Sequence, residues 1–242
     1  MDYGLVSIII PTYNRFNYLK KAIESASIQS YTNIEIIIIN DGSTQTDYYE
    51  KQHEITSLSS KIIMIHLEEN SRTKYNAQAA HGKTREVGIA ASKGKWIAFL
   101  DDDDYWLPDK LKKQLDKLYE LNDPNCVGCC SNAFKGHGSP NINALLTNSY
   151  ELVNPYHSVS EFIKYNDIQN NNIIINPTTI VLKELFDKVG PFEIDLPEDY
   201  DYWLRTLRIQ NSYFYYIDEP LIFYNIGHGD GIHYRFSKGV SK

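Results

Sequence analysis

The stretch Trp96-Ile97-Ala98-Phe99-Leu100-Asp101-Asp102-Asp103-Asp104 decides how this chain is read. Five apolar residues without alternation predict a buried strand. The four carboxylates that follow emerge together at its end. Like charges packed this closely raise one another's pKa and cost free energy until something positive joins them. A divalent cation is the natural partner, since hard cations take oxygen ligands. A solvated acidic loop ahead of a helix starting near Pro108 is the alternative. The position directly after a core strand favours the metal.

Outward from this strand the first half alternates strand and helix patterns. Residues 6–10, 34–39, 62–67 and 126–132 read as further strands, the second apolar apart from Glu35. Leu19, Ala22, Ile23 and Ala26 fall on one helical face. A polar segment, 44–60, and residues 84–92 read as helical, and 68–80 as a loop. Leu111, Leu115 and Leu118 recur at helical spacing behind Pro108, which suits a first turn. This order predicts an α/β fold with a mostly parallel central sheet flanked by helices. In the second half, 134–155 reads as a long loop, 178–182 as a strand, 183–189 and 198–210 as helices, and 213–217 and 221–224 as two strands. The tail from Gly227 carries little pattern.

Composition sets bounds on function. The chain has 242 residues and 42% hydrophobic content, enough for one large α/β domain. A net charge of −7 without a basic stripe argues against a nucleic-acid partner. The apolar runs are strand-length, far short of a transmembrane segment, and no secretory signal is visible, so a cytoplasmic protein is expected. Cys126, Cys129 and Cys130 lack a second ligand pair at metal-binding spacing and read as free core thiols.

In open parallel sheets, ligands bind at the carboxyl ends of the strands. Three polar strand ends would converge on one crevice here: Pro11-Thr12-Tyr13-Asn14-Arg15, Asn40-Asp41-Gly42-Ser43, and the aspartates. Tyr13 offers a face on which a base can stack, and Asp41 a carboxylate for a base or ribose donor. Gly42 permits a tight turn. Packing for Tyr13 and a cap or Asx-turn for Asp41 are the plainer readings. Neither a dinucleotide fingerprint nor a P-loop is present.

The combined pattern resembles family 2 glycosyltransferases of the GT-A fold. It is carried by residues 6–15, Gln29-Ser30-Tyr31, Asn40-Asp41-Gly42-Ser43-Thr44, Arg85 and Gly88, Ala91-Ser92-Lys93-Gly94, Phe99-Leu100-Asp101-Asp102-Asp103-Asp104, Pro108-Asp109-Lys110-Leu111 and Glu198-Asp199-Tyr200-Asp201-Tyr202-Trp203-Leu204-Arg205. It is strong over about residues 5–120 and resumes around 176–225. The resemblance implies an inverting transferase that moves a sugar from a nucleotide diphosphate, a UDP-sugar favoured, to an acceptor hydroxyl with Mn²⁺ or Mg²⁺. Pro11, Tyr13 and Asp41 then build the base pocket, and Arg85 lies near the donor. Asp103 is the implied metal ligand, Asp102 faces the ribose or donor sugar, and Asp101 stands behind them. An extended segment would put Asp101 and Asp103 on one side. Asp104 is available to steady the following helix.

Asp199 maps to the catalytic base, with Glu198 and Asp201 as neighbouring alternatives. The acceptor is expected to be a glycan, a lipid-linked molecule or a protein. Residues 1–132 would bind the nucleotide sugar and 133–242 the acceptor, as one domain. Two positions depart from the family pattern: Asn40 replaces a common acid, and Thr84-Arg85-Glu86 puts a negative charge where an Asn is common. Tyr224-Asn225-Ile226-Gly227-His228 is a loose match to a family His near the C-terminus; His228 and His233 read as unligated surface histidines, with approach to the diphosphate or metal the alternative. A nucleotidyltransferase, or a noncatalytic nucleotide-sugar-binding subunit, are the other classes the residues allow.

Overall fold

The computed structural model describes residues 2–141, 145, 149–154 and 159–226. The tail from Gly227, with His228 and His233, lies outside these residues, as does part of the 134–155 segment. Strands β1 (Val6–Thr12), β2 (Ile34–Asn40), β3 (Ile62–His66) and β4 (Trp96–Phe99) pair in parallel in the order β3-β2-β1-β4. Their connections carry α1 (Phe16–Ser27), α2 (Asp47–Glu50), α3 (Gln52–Thr56), α4 (Ser71–Lys74) and α5 (His81–Ala91).

The same sheet runs into the second half of the chain and becomes mixed there. The later elements are β5 (Tyr105–Trp106), α6 (Lys110–Leu121), β6 (Cys126–Gly136), β7 (Glu151–Leu152), β8 (Phe162–Ile163), α7 (Tyr165–Ile168), β9 (Ile180–Leu182), α8 (Leu185–Val189), α9 (Glu198–Leu207) and β10 (Tyr213–Asn225). Past β4 the order continues β9-β6-β10-β5, with β9 antiparallel to both β4 and β6, and β10 parallel to β6.

Alternation along the strands divides the core into two layers. Ile8, Ile10, Ile36, Ile38, Ala98 and Leu100 pack with the apolar faces of α1 and α6. Ile9, Ile37, Ile39, Ile97 and Phe99 face α5, α8 and α9. Each fully buried isoleucine contributes roughly 1.5–3 kcal/mol relative to exposure. Gly88 lets α5 approach closely, because a Cβ there would stand 2.6 Å from Ile39 Cδ1 and 2.7 Å from Ile9 Cγ2.

Pro11 lies inside β1 rather than ending it. Ile9 O accepts from Leu100 N, and the next residue on that side of β1 is Pro11, level with the point where pairing to β4 has stopped. Its missing N–H therefore costs no ladder bond.

Three readings change. The expected strands 213–217 and 221–224 are one strand, with register shifts around Pro220. The expected loop from 134 begins as strand, since Phe134, Lys135 and Gly136 pair with β10. Cross-strand pairing overrides the polar local sequence there. The 68–80 loop holds the short helix α4, whose N-cap Asn70 accepts from Arg72 N. Cys126, Cys129 and Cys130 are free and buried in β6.

Candidate active site

Thr12 is the joint between the three strand ends. Its carbonyl accepts from Asp41 N at 2.9 Å, and its hydroxyl donates to Asp102 Oδ2 at 2.8 Å. That hydroxyl also meets Tyr48 OH at 2.5 Å, and Tyr48 OH accepts from Arg15 N at 3.0 Å. A chain of bonds thus runs from Arg15 N–H through Tyr48 and Thr12 to Asp102, each bond polarising the next.

The aspartates do not lie in an extended segment. Asp104 N donates to Asp101 O at 3.1 Å, closing a turn. The expectation that Asp101 and Asp103 share a side is therefore corrected, because strand alternation does not apply within a turn. Arg15 gathers Asp102 and Asp103 instead, with Nη1 at 3.2 Å from Asp102 Oδ1 and 2.8 Å from Asp103 Oδ2. Asp101 turns the other way, to Arg85 Nη2 at 2.7 Å. Asp104 does not steady the following helix; its Oδ1 accepts from Asn225 N at 2.8 Å and ties down the end of β10.

Burial dominates the electrostatics here. It pushes the Asp102 carboxyl up to about 7, with Asp103 adding to the shift and Arg15 opposing it. Asp104 is raised well above the usual carboxylate range by burial and by Asp103 and Asp101. An acidic turn in this condition is a receptor for positive charge. Magnesium-type ions are held through one or two carboxylates together with substrate phosphates, so a cage of three or more protein ligands is not required. The partly exposed Asp103 beside buried Asp102 fits that donor set.

Asp41 is buried and held from the neighbouring loop. Oδ1 accepts from Ser71 N at 2.9 Å; Oδ2 accepts from Ser71 Oγ at 2.7 Å and Asn70 Nδ2 at 3.0 Å. Gly42 makes this possible: its φ is +67°, and a Cβ there would stand 2.5 Å from Asn70 N. A carboxylate has about four acceptor sites, so three bonds leave room for one more donor. Tyr13 is 36% exposed beside Asn14, whose side chain accepts from Thr44 N and Gln45 N and stitches the two strand-end loops together. Pro11 is half-buried at the same edge.

On the opposite flank, buried Arg85 bridges Asp101 and Glu198, the latter at 3.4 Å from Nη1. This pair fixes the first turn of α9, where Asp199 Oδ1 accepts from Tyr200 N at 2.8 Å. Burial lifts the Glu198 carboxyl to about 7, against the pull of Arg85 and with Asp199 adding to the rise. Tyr224 is pushed up by burial and then by the charges of Asp104, Asp101, Asp103 and Asp199. Asp201 instead pairs with Arg205 at 2.8 Å along the helix.

The two departures from the family pattern have local explanations. Asn40 Oδ1 accepts from Ser43 N at 3.0 Å, which leaves Nδ2 to donate to His66 Nδ1 at 3.0 Å. Burial lowers the His66 pKa, and a neutral ring accepting from an amide suits Asn better than Asp. Glu86 turns away from the aspartates: Oε1 accepts from Phe192 N at 2.7 Å and Lys83 Nζ at 3.1 Å. Its charge is spent on the loop before α9.

Sequence reasoning gave no role to Thr12, Arg15, Tyr48, Ser71 or Tyr224. His81 was also missed. It opens α5, and burial, then the charge of Arg85, lowers its pKa to about 4. Two clefts, of about 460 and 490 Å³, lie at the amino ends of the strands, around Tyr213 and Tyr31, away from the aspartates.

The sequence profile described as glycosyl transferase family 2 matches residues 7–190. The chain belongs to glycosyl transferase family 2. The match takes in the three strand ends and Arg85, and stops before Asp199.

An uncharacterized glycosyltransferase of Rickettsia bellii is 31% identical over 226 residues, which is 88% of this family 2 chain and 29% of the relative. The chain thus spans under a third of that protein. Among solved structures, S. aureus TarS 1-349 in complex with UDP-GlcNAc superposes with a TM-score of 0.68 at 20% identity, covering 93% of this chain and 59% of TarS. The mannosyltransferase PcManGT of Pyrobaculum calidifontis, in complex with GDP-Man and Mn²⁺, gives 0.62 at 14% identity over 92% and 57%. The fold is accordingly GT-A. Among the described residues no helix is long and apolar enough to cross a membrane.

Proposed function

We propose that this chain transfers a sugar from a UDP-sugar to an acceptor hydroxyl with inversion at the anomeric carbon. The carrying observation is that Thr12 links Asp41 on one side to Asp102 on the other, making one continuous edge. The base stacks on Tyr13 beside Pro11. The one acceptor site left on Asp41 matches the single imide N–H of uracil, which favours UDP. Asp102 and Asp103 hold the diphosphate end through Mn²⁺ or Mg²⁺, with Asp103 as the direct ligand. When bound, such a cation would offset charge developing on the departing diphosphate. Binding of Mn²⁺ by a relative of the same fold supports this. Arg85 holds Asp101 and Glu198 in place.

Asp199 is the base. A neutral hydroxyl is a weak nucleophile, so a carboxylate takes its proton as the oxygen bonds to the anomeric carbon. The bond to the diphosphate breaks on the opposite face, and UDP leaves. Residues up to about 132 serve the donor and those beyond serve the acceptor, a glycan, lipid-linked molecule or protein. The test is to incubate the chain with UDP-sugars, Mn²⁺ and an acceptor panel, and to follow UDP release and product anomer. An inverted product, lost in Asp199→Asn, is expected. Release of pyrophosphate instead would move the chain to nucleotidyl transfer.

A further inference from the structure

The turn leading into β9 holds a side chain that the site has not yet used. Asn176 is 3% exposed, and among the described residues neither Oδ1 nor Nδ2 has a hydrogen-bond partner. Buried amides are nearly always satisfied, and one left unpaired lowers stability. The rest of this turn is heavily tied. Three successive carbonyls each accept from a side chain beneath: Pro177 O from Trp106 Nε1 at 3.0 Å, Thr178 O from Gln114 Nε2 at 2.7 Å, and Thr179 O from Lys110 Nζ at 3.5 Å. The Thr178 and Thr179 hydroxyls close back on Ile175 O and Asn176 O, both at 2.7 Å. Of this turn's polar side chains, Asn176 is the one without a hydrogen-bond partner among the described residues, on a backbone that is tied down.

The sheet order says what that capacity is beside. Ile97 pairs with Val181 and Ala98 with Ile180, so each step up β4 is a step back along β9. Continued, this run brings the Asn176 turn alongside the end of β4, where the aspartates begin. Along the edge the strands run β2, β1, β4, β9. Asp41 and Tyr13 occupy the first two ends and the aspartates the third. Three strand spacings from β2 to β9 span roughly 14 Å, about the reach of an extended nucleotide sugar.

We infer that Asn176 is a specificity residue for the transferred sugar, its amide pairing with a hydroxyl or N-acyl group of the donor's hexose. This rests on the UDP-sugar reading above. A rigid, unpaired amide is poised to discriminate, because a sugar lacking the matching group leaves it buried and unsatisfied.

The test compares UDP with UDP-glucose, UDP-galactose and their N-acetyl counterparts, by calorimetry with Mn²⁺, on wild type, Asn176→Ala and Asn176→Leu. Leu keeps the volume should Ala leave a damaging cavity. The expected result is unchanged affinity for UDP, with about a tenfold or greater loss for the preferred UDP-sugar. The ligand-free melting temperature of Asn176→Leu should equal or exceed that of wild type, since an unsatisfied group has gone. Equal weakening of UDP and UDP-sugar together with a lower melting temperature would make Asn176 a structural residue and overturn the inference. Unchanged sugar preference would overturn it while leaving the UDP-sugar reading intact. If wild type binds neither UDP nor any UDP-sugar, both fall.

Discussion

The Thr12 hydroxyl donates to Asp102 Oδ2 at 2.8 Å, joining residues 90 positions apart in sequence. Both groups are buried, so the bond has no solvent substitute. Thr12→Val keeps the shape and removes the hydroxyl, taking one hydrogen-bond partner each from Asp102 Oδ2 and the Tyr48 hydroxyl and leaving both with Arg15. The expected loss is about 1–3 kcal/mol of folding stability, read by urea denaturation, with weaker UDP binding. Unchanged stability would show that the link between β1 and β4 carries no weight.

Arg15 sets one positive charge against both Asp102 and Asp103. Arg15→Ala removes one positive charge from beside these carboxylates, and a cation then meets less competition for them. The variant should melt lower than wild type when ligand-free, and Mn²⁺ should raise its melting temperature more than it raises that of wild type. A smaller Mn²⁺ effect in the variant would place the cation elsewhere.

Gly42→Ala tests the Asp41 clamp. The left-handed φ of +67° alone costs a non-glycine residue about 1–3 kcal/mol. The added Cβ also meets backbone at Asn70 N and Glu69 C rather than a side chain that can move. Lower stability and lost UDP affinity are expected together in a denaturant titration and a binding isotherm. Stability loss with full UDP affinity would detach the clamp from the base pocket.

Glu198 gives a pH signature. Burial raises its carboxyl to about 7 from an ordinary value of 4.5. The folded state then binds a proton that the unfolded state releases, so stability falls as pH rises from about 4.5 to about 7. Glu198→Gln mimics the protonated form. Its melting temperature relative to wild type should climb across that window and level off above it. A constant difference would mean that Glu198 is ionised throughout.

How much was legible depended on range. The runs at 36–39 and 96–100 and the acidic block after the second can be read locally, because burial on both faces writes itself as unbroken apolar sequence. Tyr105–Trp106 was not read as a strand, since two residues carry no periodicity and its partner is β10. The turn at 101–104 has no Gly or Pro to announce it, so the aspartates read as extended. Asp104 finds Asn225 and Arg85 finds Glu198 only after folding, across 121 and 113 positions. Arg15 sits in a recognised segment, yet nothing near it in sequence says that its charge belongs to Asp102 and Asp103.

Calorimetric titration of UDP, with and without Mn²⁺, into wild type and Asp103→Asn addresses the central claim most directly. UDP should bind wild type far more tightly with Mn²⁺ than without it, and Asp103→Asn should abolish that difference while keeping the weak metal-free binding supplied by Asp41 and Tyr13. UDP affinity that ignores Mn²⁺ in both proteins would contradict a diphosphate held through the aspartates.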